Sequence, residues 1–322
     1  MRIQKLPWMK TAIAFAVSAS ILWILFKRID AGKVVYLIAN SNFTLIILAI
    51  FISLSVNIFL GAVKWRSILS GLKYNLSFRE VFYIRSGCLP LKVIFPLKSS
   101  ELLKAFYLKR RDRIPAARAV SSIVLDKTLN ILTLMIIFLI GLFATKIALP
   151  RVFALSALLL ITLFLFSTSA QGIVTKIAGS MHPKMRELSA ALLSAFSEIK
   201  IKKKLYLIVL SFVYQMSEIV NVYILFRAMS IPVPFVETLV FVPLIIIVNN
   251  IPITTLGLGT REGLVILLFR QYGPASALLG AGILVSFIEH VIPVLFGLFF
   301  VRYFIGGFTE SEKRIPCKEI LF

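Results

Sequence analysis

Apolar residues in this chain come in long runs punctuated by short basic patches. A helical run of about 20 such residues suffices to cross the hydrocarbon core of a bilayer. Thr11–Phe26, between Lys10 and Lys27-Arg28, predicts a first membrane helix, and no small-residue cleavage site follows it. Phe43–Val63 carries no charge and predicts a second, ending at Lys64-Trp65-Arg66, an aromatic and two cations suited to an interface. Ala119–Ala144, Val152–Ser169, Leu205–Phe226 and Ala277–Phe304 predict four more. Thr175–Lys204 has another pattern: Leu188, Leu192, Phe196 and Ile199 share one helical face, with Lys184, Arg186 and Lys200 elsewhere. It reads as an amphipathic surface helix ending in Lys202-Lys203-Lys204, suited to anionic lipid.

Two further apolar stretches are interrupted. Val81–Leu97 is broken by Pro90 and Pro96 and flanked on both sides by basic residues, so it must enter and leave on one side. Ser99, Ser100 and Glu101 would then open the returning helix of a re-entrant hairpin. The second break, Asn249–Gly263, is polar and glycine-rich and lies between Phe235–Val248 and Leu264–Phe269. Backbone that leaves the helix is tolerated at membrane depth only where protein or a wet cavity surrounds it. An ordinary loop outside the membrane is the other reading of this stretch.

Taken together, residues 1–146 read span, span, hairpin, span, and residues 147–308 repeat that order. Three crossings per half invert the second half relative to the first, the common plan of membrane transporters. The expectation is one all-α polytopic membrane domain with about six full transmembrane helices and two re-entrant hairpins in an inverted repeat. Residues 175–204 form the cytoplasmic amphipathic helix and 309–322 a short tail, with both termini in the cytoplasm of a cell-membrane protein.

Composition agrees: 59% of residues are hydrophobic and the mean hydropathy is +0.94. A formal charge of +22 would suggest nucleic acid in a soluble protein, but the cations crowd into a few loops, as the positive-inside rule describes. Residues 64–118 alone hold 13 Lys or Arg, against Glu80, Glu101 and Asp112. No nucleic-acid motif accompanies the charge, so anionic lipid is the expected partner. Cys88 and Cys317 lie far apart, and His182 and His290 share no ligand spacing with them, so neither a metal nor another cofactor is expected.

Candidate chemistry follows from charges inside apolar runs, which cost about 2.5–3.5 kcal/mol each on insertion scales and usually face a pathway or a partner. The adjacent Asp126 and Lys127 point to different helical faces, so each needs its own partner. Glu218 and Asn221 share a face, and Glu289-His290 sits in the last span; these six could form a buried polar or proton relay. Around the first break, Lys98, Ser99, Ser100, Glu101 and Lys104 form a candidate headgroup site. Around the second, Asn250, Thr254, Thr255, Gly257, Gly259, Arg261 and Glu262 form another. The helix N-termini and the cations suit a phosphate, and Glu101 and Glu262 suit an amine. The alternative is that Glu101 caps a helix, and that Glu101–Lys104 and Arg261–Glu262 are ion pairs holding the hairpins together. Gly257-Leu258-Gly259 has no preceding strand and no Walker-type Gly-Lys-Ser/Thr, so no nucleotide drive is expected.

These motifs resemble the transmembrane region of lysylphosphatidylglycerol synthases, a flippase-like membrane family. Lys64-Trp65-Arg66-Ser67-Ile68-Leu69 is similar to its basic-Trp-Arg element, and Pro96 through Lys104 to its Pro-Gly-Arg-x-Gly-Glu-x-x-Arg element. In the latter, Leu97 and Ser100 replace the glycines and Lys104 the arginine. Pro252, Gly257, Gly259, Arg261 and Glu262 match the second-half element at full spacing, Asp126-Lys127 sits at the family's acidic-Arg pair, and Gly273 matches a later glycine. The resemblance implies a translocator of phospholipid or lipid-linked headgroups. The synthases' soluble aminoacyltransferase domain has no counterpart in these residues, so their synthase activity is not expected. Two other classes stay open: a membrane enzyme acting on a lipid-linked or polyprenyl-phosphate substrate, and an accessory subunit of a separate lipid-modifying enzyme. No nucleophile-base pair is visible for the former.

Overall fold

The computed structural model describes residues 6–91, 99–111, 114–145, 198–250, 254 and 257–312. Helices begin where polar residues can satisfy the first free N–H groups. Asp30 accepts from the Lys33 amide at the start of α2 (Ala31–Ala39), which follows α1 (Leu6–Arg28). Asn42 accepts from the Leu45 amide and opens α3 (Phe43–Gly71). Ser77 accepts from the Glu80 amide and opens α4 (Phe78–Gly87). Then follow α5 (Ser99–Arg111), α6 (Ala116–Ala144), α7 (Ile201–Ala228), α8 (Phe235–Asn249) and α9 (Thr260–Phe269). The last helix, α10, joins Ala275–Ser286 and Ile292–Glu312 through a π-helical turn, Phe287–Val291. A second π-helical segment, Ser55–Leu60, lies in the middle of α3.

Among the described residues, four helices are long and apolar enough to cross a membrane: Phe43–Gly71, Ala116–Ala144, Ile201–Ala228 and Ala275–Gly306. Phe51, Val209 and Phe299, 62–77% exposed, turn outward from α3, α7 and α10, as lipid-facing residues do. The predicted fourth span, Val152–Ser169, lies outside the described residues, as does 175–204 up to its last turn. Lys202-Lys203-Lys204 belongs to the first turn of α7, because the chain leaves the helix at Ile199-Lys200 and restarts at Ile201. The helix predicted to end at Val63 runs on to Gly71 and buries Lys64 and Trp65, at 1% and 2% exposure.

The two interrupted stretches do form helix, break, helix. α8 has 15 residues and is about 22 Å long, short of a full crossing, and carries Pro243 within it. Chain order repeats in detail. α3 ends with Lys73 at φ 69° and Tyr74 N–H returning to the Leu69 carbonyl; α7 ends with Ser230 at φ 56° and Ile231 N–H returning to Phe226. α4 and α8 begin five residues after those turns, and α6 and α10 each begin directly after a proline, Pro115 and Pro274. Packing is reciprocal too: α6 lies against α8, α10 against α4, and α3 against α7.

Candidate functional site

The charges inside the spans meet across helices in three connected groups. In the first, Glu101, in the first turn of α5, receives Lys104 Nζ at 2.7 Å and Lys127 Nζ of α6 at 3.4 Å. Beside it, Lys64 of α3 pairs with Asp126 of α6 at 2.8 Å and also donates to Asn130. Aromatic faces line these cations: Lys104 lies 5.7 Å from the Trp65 ring centroid, and Lys64 5.3 Å from that of Tyr214. Asp126 and Lys127 thus do take separate partners on separate faces.

The second group joins the two π-helical segments. Ser53 donates to the Ile288 carbonyl at 2.9 Å and to Glu289 Oε2 at 3.2 Å; Asn57 donates to the same oxygen at 2.9 Å. Asn221 of α7 donates to Glu289 Oε1, and the Tyr214 hydroxyl donates to Asn57 Oδ1 at 2.9 Å. Arg85 of α4 reaches in from the first half and donates through Nε to the Asn57 carbonyl at 3.4 Å. Its guanidinium lies over Gly61, where any Cβ would fall 2.2–2.6 Å from it. π-Helical turns misalign carbonyls and often mark functional positions.

The third group surrounds the second break. Gly257 and Gly259 adopt φ +78° and +87°, which L side chains rarely accept. At Gly259 a Cβ would also meet Ile21 of α1 at 2.9 Å. Thr260 donates to Asn249 Oδ1 at 3.1 Å and lies 3.0 Å from the Thr254 hydroxyl, which ties Thr254 into the turn. Glu262, 1% exposed, accepts from the Gly259 N–H at 2.6 Å and from the Ser286 hydroxyl. Arg261 donates to the same Ser286 at 3.1 Å and lies against the His290 ring, 3.0 Å from Nε2.

Arg261 and Glu262 therefore meet through Ser286 rather than as the direct ion pair of the alternative reading. Glu262 caps its own helix, so its carboxylate is occupied inside the fold. Gly263 has nothing within 4 Å of an added Cβ, whereas a Cβ at Gly282 would lie 3.2 Å from the Glu262 backbone. Asn250 closes α8, and Ser99 and Ser100 open α5. Lys98 and Thr255 lie outside the described residues.

Sequence reasoning missed Ser53, Asn57, Arg85, Asn130, Tyr214 and Ser286. A signal existed for some: Ser53, Asn57 and Lys64 stand at i, i+4 and i+11, one stripe of α3. Asn130 follows Asp126 by four, again on one face.

Fold and site together define an all-helical integral membrane protein in which both helix–break–helix units send charged residues into a shared polar seam. The chain belongs to the family described as the lysylphosphatidylglycerol synthase TM region, which matches residues 11–297. It is 23% identical to the UPF0104 membrane protein MJ1595 of Methanocaldococcus jannaschii, over 92% of this chain and 95% of that one.

Proposed function

We propose that this protein translocates a phospholipid or lipid-linked molecule across the bilayer, passing its anionic headgroup along the polar seam while the tails stay in lipid. The architecture we infer is an inverted repeat of six spans and two re-entrant units. It is supported by the reciprocal packing and by the repeated caps of α3 and α7.

One observation carries the reading: each helix–break–helix unit pairs a charge with polar residues of a long helix, Glu101 with Lys127 and Arg261 with Ser286 and His290, where an isolated charge costs several kcal/mol. The contacts of the two halves correspond. Lys64 on α3 meets Asp126 and Asn221 on α7 meets Glu289, the acidic first member of each pair on the closing span. Glu101 meets Lys127 and Arg261 meets His290, the second member of each. Such exchangeable pairs let a headgroup replace a partner without crossing bare hydrocarbon. Lys104 and Arg261 have internal partners. Arg85, with only its Nε engaged among the described residues, and Lys127, partly exposed, retain donors for a phosphate.

The test is leaflet accessibility of short-chain labelled phosphatidylglycerol in liposomes holding the purified protein, read with an impermeant quencher. Inner-leaflet label should become accessible with the wild type and much more slowly with Arg85→Gln or Glu101→Gln. If no anionic, zwitterionic or aminoacylated phospholipid moves, translocation of phospholipid is refuted.

A further inference from the structure

Among the described residues, two carboxylates in the membrane-length helices have no ion-pair partner. Glu218 of α7 and Glu289 of α10 line one narrow crevice together with Ser53, Asn57 and Tyr214. Glu289 is well provided for as an anion, since three neutral donors, Ser53, Asn57 and Asn221, point at its two oxygens. Glu218 has no hydrogen-bond or ion-pair partner among the described residues, and its side chain is only partly covered, so it faces the crevice. Asn221 adds a separate observation: it is 0% exposed, its amide nitrogen lies on Glu289, and its Oδ1 has no partner among the described residues. An acceptor left unsatisfied beside the Glu289 carboxyl is short of a hydrogen.

The charged groups of the neighbouring helices have partners of their own. Arg261 is held by Ser286 and His290, and Lys127 by Glu101. Arg85 on α4 sits on the Asn57 carbonyl, and Asp126 on α6 is paired with Lys64. Two like charges lining one crevice repel, and a proton on either carboxyl removes that repulsion.

We infer that Glu218 is the exchangeable proton site of a proton-coupled transporter, with Glu289 as the fixed anion beside it; this rests on the translocator reading. A proton passed from hydronium bonds to a Glu218 carboxylate oxygen, leaving water, and the neutral acid no longer repels Glu289. On the return step the O–H bond breaks to water, and the restored carboxylate is repelled by Glu289. One proton enters and leaves per cycle, and no other bond changes. A metal cation suits the crevice less, because the groups around Glu289 turn N–H and O–H hydrogens, not lone pairs, toward the carboxylate.

Two measurements on the full-length protein separate this inference from the reading it rests on. In proteoliposomes, an imposed pH gradient should speed translocation of labelled phosphatidylglycerol several-fold, and Glu218→Gln should lose that response while Glu218→Asp retains part of it. Independently, infrared difference spectra between acid and alkaline pH should show a protonated-carboxyl band that is absent in Glu218→Gln and kept in Glu101→Gln. Elution as a single folded peak verifies each variant. Translocation indifferent to the pH gradient, or driven by a sodium gradient instead, overturns the inference. So does a carboxyl band that survives in Glu218→Gln. A band lost only in Glu218→Gln, with no lipid moved by any protein, supports the proton site and overturns the translocator reading.

Discussion

Breaking the Lys64–Asp126 pair should destabilise the fold severely, while replacing both partners should not. Lys64 is 1% exposed and Asp126 9%, with Nζ 2.8 Å from Oδ1. At an effective dielectric constant near 20, charges at that separation attract by about 6 kcal/mol. Removing two ions from water costs several kcal/mol each, so the intact pair comes out close to neutral. Half a pair keeps a penalty without the attraction, and a loss of about 3–5 kcal/mol is expected for Lys64→Met or Asp126→Asn alone. That is roughly a hundredfold or more in the folded-to-unfolded ratio. Lys64→Met with Asp126→Leu should cost far less than the two single changes summed, with a coupling approaching about 3 kcal/mol. Cys88, 0% exposed, offers the assay: in a Cys317→Ser background, a thiol-reactive dye in detergent reports unfolding as Cys88 opens. Single variants that each lose under about 1 kcal/mol, the range of a solvated surface pair, would refute the reasoning. Strict additivity in the double variant would refute it as well.

Glycine substitutions should split in sign. Gly259→Ala forces an L residue to φ +87° against Ile21 and should cost at least about 1–2 kcal/mol, whereas Gly263→Ala enters open space within α9 and should gain about 0.5–1 kcal/mol in the same dye assay. Gly61→Ala should push the Arg85 guanidinium off the Asn57 carbonyl; because that group is the flexible end of its side chain, translocation should fall while the unfolding midpoint moves little. A midpoint loss as large as that of Lys64→Met would make Arg85 structural. Arg118–Glu198, at 2.6 Å with side chains 26% and 30% exposed, is a surface pair, and Arg118→Ala should cost no more than about 1 kcal/mol. The Arg118 hydrogen bond holds the Glu198 carboxyl below its ordinary value, so this small contribution is present at neutral pH and fades as pH falls through the lowered value. A stability profile in Arg118→Ala that keeps the same acid limb would exclude it.

Much of the site was legible because a charge inside an apolar run is conspicuous. Asp126, Lys127, Glu218, Glu289 and the Arg261-Glu262 pair all stood out, and all lie in the seam. Lys64 and Arg85 were hidden by their surroundings: in a segment dense with basic residues, a buried cation and a loop cation look alike. Asn57 and Tyr214 carry no charge, and their importance depends on which helix faces them. The alternative of a direct Arg261–Glu262 pair fails because adjacent residues in a helix diverge, and Ser286 of α10 bonds to both head groups.

By itself the sequence determined the membrane class, four of the long helices and the two interrupted stretches. These depend on local terms: the length of apolar runs, the restriction proline places on the backbone, and the freedom of glycine. Tertiary structure alone decided the pairing of charges, the meeting of the two π-helical segments and the reciprocal packing of α6 on α8 and α10 on α4. A buried charge announces that it needs a partner, since the cost of isolation is local. Which partner answers depends on helix crossings between residues as much as 236 positions apart, and no local pattern carries that information.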